Sequence, residues 1–319
     1  MTLRVGIDAS IKDDVLQDFP GEAQLVRIPE QPEEEIAVDF WVPGMPPGIL
    51  KRQLARVKGV KVVQLPWAGV DSLRELFPRN VTVCNARGVH DIPTAEWALA
   101  AILAMQRSLP FYVDLQRQGY WRAAPQESKS DAQSGNNIQR APRSVEIADS
   151  TVLIVGYGAI GQAIEARLAP FGAKFLRVAR TARQGVEPVS KLDGLLGQAD
   201  VVVLMLPLTP ETTHLMDTAR LAKMKAGALL VNVARGAIVE KDALLQALTE
   251  GRIRAAVDVT DPEPLPAGHP LWKAPNLLIT PHVASDSSKF IKRAFRLVSE
   301  QVRRYVRGEP LLNVVSGEY

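Results

Sequence analysis

The chain has 319 residues, enough for two domains, with an ordinary globular composition of 46% hydrophobic and 23% charged residues. A net charge of +3 is too small to argue for a nucleic-acid partner, and a single cysteine, Cys84, excludes an internal disulfide framework. The apolar run WALAAILAM at 97–105 reaches only about half the length of a bilayer span, and MTLRVGID enters a strand pattern at once, so the expectation is a cytoplasmic protein with no membrane partner.

In chain order, the apolar runs LRVGID, AQLVRI, DFWVPG, VKVVQL and VTVCNA fill the first third, with helical stretches such as 47–57 between them. Short apolar runs alternating with helices predict a parallel sheet covered on both faces. A long helix follows at about 94–109 and is expected to end at Pro110. The stretch 122–146 is polar, with few apolar residues, and reads as a surface excursion.

A second alternating series then begins: TVLIVG (151–156), KFLRVA (174–179), DVVVLML (200–206), ALLVNVA (228–234), RAAVDV (254–259) and NLLIT (276–280). These runs are apolar on both faces, as buried parallel strands are. The segment 286–307 is amphipathic and predicts a final helix.

The second series opens with a phosphate-loop pattern. Gly156, Gly158 and Gly161 form G-x-G-x-x-G between a strand and a helix whose first residues are Ala159 and Ile160. The first glycine allows a tight turn, the second lets backbone approach a pyrophosphate, and the third lets helix pack on strand. The helix N-terminus adds partial positive charge, so the pattern predicts a bound dinucleotide.

The end of the next strand decides which dinucleotide. An acid there would hold the ribose 2′-hydroxyl of NAD, but RVARTAR (177–183) carries three arginines and no acid. Arg180, 19 residues past the third glycine, forms with Thr181 and Arg183 a candidate pocket for the 2′-phosphate of NADP. A solvated basic turn is the alternative, and NAD remains possible.

Ligands of open parallel sheets bind beyond the carboxyl ends of the strands. Those ends carry Pro207, then Arg235, then Asp258 with Glu263 close behind, then His282. One guanidinium, two carboxylates and one imidazole suit hydride transfer to a carbonyl, where the protein supplies a proton and holds the substrate. Imidazole is the natural acid or base near neutral pH, a neighbouring carboxylate favours its protonated form, and arginine binds a carboxylate or polarises a carbonyl. Taken singly, Arg235 could cap a helix, Glu263 could be a loop acid and His282 could merely close a strand. His214 and His269 read as structural, and His90 has a weaker claim to a ligand-facing position.

The motifs VGYGAIG, LPLTPETTHL, VNVARG, DVTDPEP and TPHVA, in this order, resemble those of the D-isomer-specific 2-hydroxyacid dehydrogenases, and the likeness covers nearly the whole chain. The resemblance implies two Rossmann- or flavodoxin-like parallel-sheet domains with the active-site cleft between them. The substrate-binding domain would be discontinuous, 1–95 and 286–319, and the dinucleotide domain would span 96–285. It implies that His282 is the proton donor, that Glu263 holds and tunes it, and that Arg235 binds substrate. It also implies that the LPWAGVD loop holds the substrate carboxylate on the amides of Ala68, Gly69 and Val70 beside Trp67. Val233, Ala234 and Asp258 would lie near the nicotinamide, and the enzyme would be a homodimer.

The sequence departs from the family's pattern at IADS (147–150) and in the 122–146 loop. No regulatory domain is expected after residue 319, unlike the long phosphoglycerate dehydrogenases. The expected activity is reduction of a small 2-keto acid, glyoxylate or hydroxypyruvate, with NADPH. A non-catalytic dinucleotide sensor and an NAD-dependent formate- or phosphite-type dehydrogenase are the alternatives.

Overall fold

The computed structural model describes residues 2–45, 47–70, 73–121 and 144–315. Most of the predicted 122–146 excursion therefore lies outside the described residues. The chain divides into two compact units, Met1–Pro93 with Ser285–Tyr319, and Thr94–Ala284.

The first unit runs through β1 (Leu3–Asp8), β2 (Ala23–Ile28), β3 (Ile36–Ala37), β4 (Phe40–Val42), α1 (Pro47–Leu54), β5 (Val57–Lys58), β6 (Val62–Gln64) and β7 (Thr82–Cys84). Five strands form a parallel sheet in the order β2-β1-β4-β6-β7, and β3 pairs with β5 alongside. The two-residue pair was not legible, because a strand of that length carries no periodicity. Strand alternation sorts the core into two faces. Val5, Ile7, Phe40, Val42 and Val62 pack on one side, and Trp41, Val63 and Val83 on the other.

Between the two series lie α2 (Asp91–Gln106) and α3 (Leu109–Arg117). Here the expectation of one helix stopping at Pro110 is corrected. The break comes earlier, at Ser108, whose φ of 54° is left-handed. Pro110 then sits in the first turn of α3, where a missing N–H costs nothing because that position has no intrahelical acceptor.

The second unit contains β8 (Thr151–Val155), α4 (Ala159–Leu168), β9 (Lys174–Ala179), β10 (Glu187–Pro188), α5 (Leu192–Leu196), β11 (Val201–Leu204), α6 (Thr218–Lys223), β12 (Leu229–Asn232), α7 (Lys241–Thr249), β13 (Arg254–Val257) and β14 (Leu277–Ile279). Its seven parallel strands run β10-β9-β8-β11-β12-β13-β14. Both faces are covered: Leu153, Val155, Val202 and Leu204 pack on one side, Val152, Ile154, Val201 and Val203 on the other. Strand order reverses between β8 and β11, which makes the carboxyl end of β8 the switch point where such sheets bind ligands.

The last helix, α8 (Phe290–Arg307), belongs to the first unit. Its Ala294, Phe295, Val298 and Val302 recur at helical spacing and close the face carrying Phe40 and Val42.

Candidate active site

The glycine turn after β8 separates three different needs. Gly156 has φ of 102°, and a Cβ there would stand 2.3 Å from the Met205 carbonyl oxygen. Gly161 lies in α4, where a Cβ would meet the Gly156 oxygen at 2.8 Å. The protein's own backbone thus demands both. Gly158 is different: its φ of −92° suits any residue, and a Cβ would meet nothing within 4 Å. The open space at Gly158 lies where α4 begins, with Ala159 and Ile160 in its first turn and no acid there. First-turn amides lack intrahelical acceptors and carry the positive end of the helix dipole. A pyrophosphate fits this cradle, and a side chain at 158 would fill it.

The three arginines of RVARTAR divide. Arg177 turns to α4, where its Nε donates to the Glu165 carboxylate at 2.6 Å. This bond holds the Glu165 carboxyl below the usual range against the opposing effect of burial. Arg177 is therefore paired within the protein. Arg180, Thr181 and Arg183 lie exposed past the end of β9. Arg183 and Val186 exchange backbone hydrogen bonds of 3.1 and 2.8 Å around Gly185, which makes a tight turn. Arg183 reaches back to donate to the Tyr157 carbonyl inside the glycine loop.

At the carboxyl edge of β12–β14 the structure brings His282 and Glu263 together, with His282 Nδ1 2.6 Å from Glu263 Oε1. Both side chains are partly open to solvent, so a reactant can reach them. His282 itself has a left-handed backbone, φ 55°. Its amide donates to the Asp258 carbonyl at 2.7 Å. The Asp258 side chain, 2% exposed, accepts from Thr280 Oγ1 (2.5 Å) and from the amides of Val283 (2.9 Å) and Ala284 (2.8 Å). Asp258 therefore braces the turn that presents His282.

Arg235 is partly buried and lies three residues past the end of β12, and its Nη1 donates to the Ala234 carbonyl at 2.7 Å. The turn around it is fixed by Asn232, whose side chain accepts from the Ala234 amide (3.1 Å) and donates to the Arg235 carbonyl (2.9 Å). Val233 and Ala234 are buried within that turn. A Cβ on Gly236 would lie 2.0 Å from the Thr260 carbonyl carbon, so the turn after β12 presses on the segment that leads to Glu263. Pro207 caps β11 in a turn where Thr212 Oγ1 donates to its carbonyl at 2.8 Å. Asn232 was missed in the sequence, although a polar residue ending a buried apolar strand was a readable signal.

The other histidines have structural settings. His269 caps a short helix, accepting from the Leu271 amide at 3.3 Å, and His90 stacks on Phe290 at 4.9 Å. The amide of His214 donates to the Ala237 carbonyl at 2.8 Å.

The expected substrate loop lies in the first unit. The Ala68 carbonyl accepts from Asn85 Nδ2 at 2.9 Å, and the Trp67 carbonyl accepts from the Ala86 amide at 2.9 Å. Gly69 is partly exposed and Val70 is buried. Trp67 is partly buried and packs against the core containing Trp41 and Val63. Buried Gln64 and Asn85, at the ends of β6 and β7, tie this loop down through their side-chain amides. Among the described residues there is no cluster of three metal-ligating side chains, and no helix is long and apolar enough to cross a membrane.

Comparison with known proteins places this geometry. The family model for the D-isomer specific 2-hydroxyacid dehydrogenase NAD binding domain matches residues 99–284. The chain is 31% identical over 320 residues to glycerate dehydrogenase of Methylorubrum extorquens, covering 96% of this chain and 95% of that one. It is 36% identical over 265 residues to D-3-phosphoglycerate dehydrogenase of Mycobacterium tuberculosis, with 80% of this chain but only 47% of that one covered, so it spans about half the length of that relative. The NADPH-dependent glyoxylate/hydroxypyruvate reductase of Sinorhizobium meliloti, solved with NADP and sulfate, superposes with a TM-score of 0.79 at 27% identity over 98% of both chains. With its dinucleotide cradle, its paired His282 and Glu263 and these relatives, the chain belongs to the D-isomer specific 2-hydroxyacid dehydrogenase family.

Proposed function

We propose that this protein reduces a small 2-keto acid, glyoxylate or hydroxypyruvate, with NADPH, to the D-hydroxy acid where the product is chiral. The observation that carries the reading is the 2.6 Å contact between His282 and Glu263 in the same unit as the glycine cradle. When bound, NADPH supplies the hydride. His282 gives its proton to the carbonyl oxygen as that oxygen gains negative charge. Glu263 fixes the ring through Nδ1, which leaves Nε2 as the donor. Arg235 binds the substrate carboxylate with its guanidinium.

The preference for NADPH is supported by Arg180, Thr181 and Arg183 beyond β9 and by the absence of an acid there. The preference for a short substrate is supported by the glycerate dehydrogenase and glyoxylate/hydroxypyruvate reductase relatives. A homodimer is part of the same reading, and exposed Leu109, Tyr112 and Val113 on α3 support it.

The test is steady-state reduction of a panel of 2-keto acids, each with NADPH and NADH. Glyoxylate or hydroxypyruvate with NADPH should give the highest kcat/KM. Tight dinucleotide binding with no turnover of any 2-keto acid would instead identify a sensor. Equal use of a simple ketone would remove the role of Arg235.

A further inference from the structure

Tyr157 stands between the first two glycines of the cradle, where the turn itself asks for no particular side chain. Here that side chain is held from several directions. The Arg177–Glu165 ion pair stands beside its ring. The Arg177 guanidinium carbon lies 5.5 Å from the ring centroid, and that of Arg183 lies 5.7 Å from it. Arg183 also donates to the Tyr157 carbonyl, across 26 residues of sequence. The two arginines are in different electrostatic states. Glu165 cancels the charge of Arg177, which then serves to pin the ring. Arg183 is held by an aromatic face and a carbonyl, and neither cancels its charge.

We propose that Tyr157 is a positioning residue for cofactor choice: it holds the charged Arg183 guanidinium beside the glycine loop, ready for the 2′-phosphate of NADPH. An exposed arginine at a turn would otherwise lose side-chain entropy on binding that phosphate, and the ring removes part of this cost before the ligand arrives. The inference rests on the NADPH reading above and adds to it a residue outside the arginine cluster.

The experiment measures equilibrium binding of NADPH and NADH by fluorescence titration. Displacement by adenosine 2′-monophosphate is compared with displacement by adenosine 5′-monophosphate. The proteins are the unmodified chain, Tyr157→Leu, Tyr157→Phe, Arg183→Gln and the double variant Tyr157→Leu/Arg183→Gln. Losing the ring should weaken NADPH and adenosine 2′-monophosphate about two- to fivefold while NADH stays unchanged. Tyr157→Phe keeps the ring and should retain the NADPH affinity. In the Arg183→Gln background, Tyr157→Leu should cost nothing more, because its effect passes through Arg183.

Equal weakening of NADPH and NADH, full additivity in the double variant, or a phenylalanine variant that behaves like leucine would each overturn the proposal. If Tyr157→Leu does not fold, Tyr157→Met carries the same comparisons. An unmodified protein that binds NADH as tightly as NADPH would refute the cofactor reading itself. An NADPH preference undiminished by Tyr157→Leu would refute only the role of Tyr157.

Discussion

Asp258 and His282 are joined through the backbone, His282 N–H to Asp258 C=O at 2.7 Å, while the Asp258 carboxylate gathers the next two amides, of Val283 and Ala284. A buried acid thus holds the imidazole's own residue in a left-handed conformation that a non-glycine residue rarely adopts. Asp258→Asn replaces one acceptor oxygen by an NH2 group that faces a donor. It should lower stability by about 1–3 kcal/mol in urea unfolding, the cost of an unsatisfied buried group. Turnover should fall further than dinucleotide affinity, because the cradle is separate from this turn. Unchanged turnover in a folded Asp258→Asn protein would show that the brace is not needed.

His282→Ala should reduce kcat by about a hundred- to ten-thousandfold, the usual contribution of a positioned acid, while NADPH affinity stays the same. Glu263→Gln keeps an oxygen near Nδ1 but removes the charge, and should fall between the unmodified enzyme and His282→Ala. Stopped-flow single turnover alongside fluorescence titration separates the chemical step from binding. A His282→Ala protein with near-normal turnover would remove the imidazole from the mechanism.

The cradle glycines should respond oppositely to one added methyl group. Gly156→Ala forces a left-handed alanine against the Met205 carbonyl and should destabilise the fold by about 2–4 kcal/mol. Gly158→Ala enters open space with an ordinary φ, so its Tm should match that of the unmodified protein while dinucleotide affinity drops at least about tenfold. Thermal denaturation and titration of the two variants check both halves.

Arg180→Asp should raise KM for NADPH about ten- to a hundredfold and leave KM for NADH unchanged or lower, since one charge-assisted contact of about 1.5–3 kcal/mol becomes a repulsion. Parallel KM measurements decide it, and an equal rise for both cofactors would count against the 2′-phosphate pocket.

The Glu165–Arg177 pair gives a pH-dependent stability difference. Glu165 titrates below its usual range in the folded state because Arg177 hydrogen-bonds its charged form. Its contribution is therefore complete above about pH 4.5, its unfolded value, and is lost as pH falls through the lower folded value. Against Glu165→Gln, the unmodified protein should be more stable by about 1 kcal/mol at pH 7 and no more stable near pH 2, measured by urea unfolding at each pH. A difference that did not shrink on acidification would contradict the pairing.

Much of the molecule was legible because its signals are local. Buried parallel strands are short runs apolar on both faces, and each run in the second series became a strand of one sheet. The glycine turn, the lack of an acid in RVARTAR, and the residue types that follow β12, β13 and β14 could likewise be read by position alone. What the tertiary structure decided was the partner of each polar group. Three arginines within seven residues look equivalent in sequence, yet Arg177 meets a carboxylate on the preceding helix while Arg183 folds back on Tyr157. Asp258 and Asn232 became braces because amides from later turns converge on them. Trp67 packs, partly buried, against the core around Trp41, and Pro110 opened a helix instead of closing one. Local periodicity and turn chemistry depend on neighbours along the chain, whereas burial and hydrogen-bond pairing depend on which distant groups the sheets bring to the same edge.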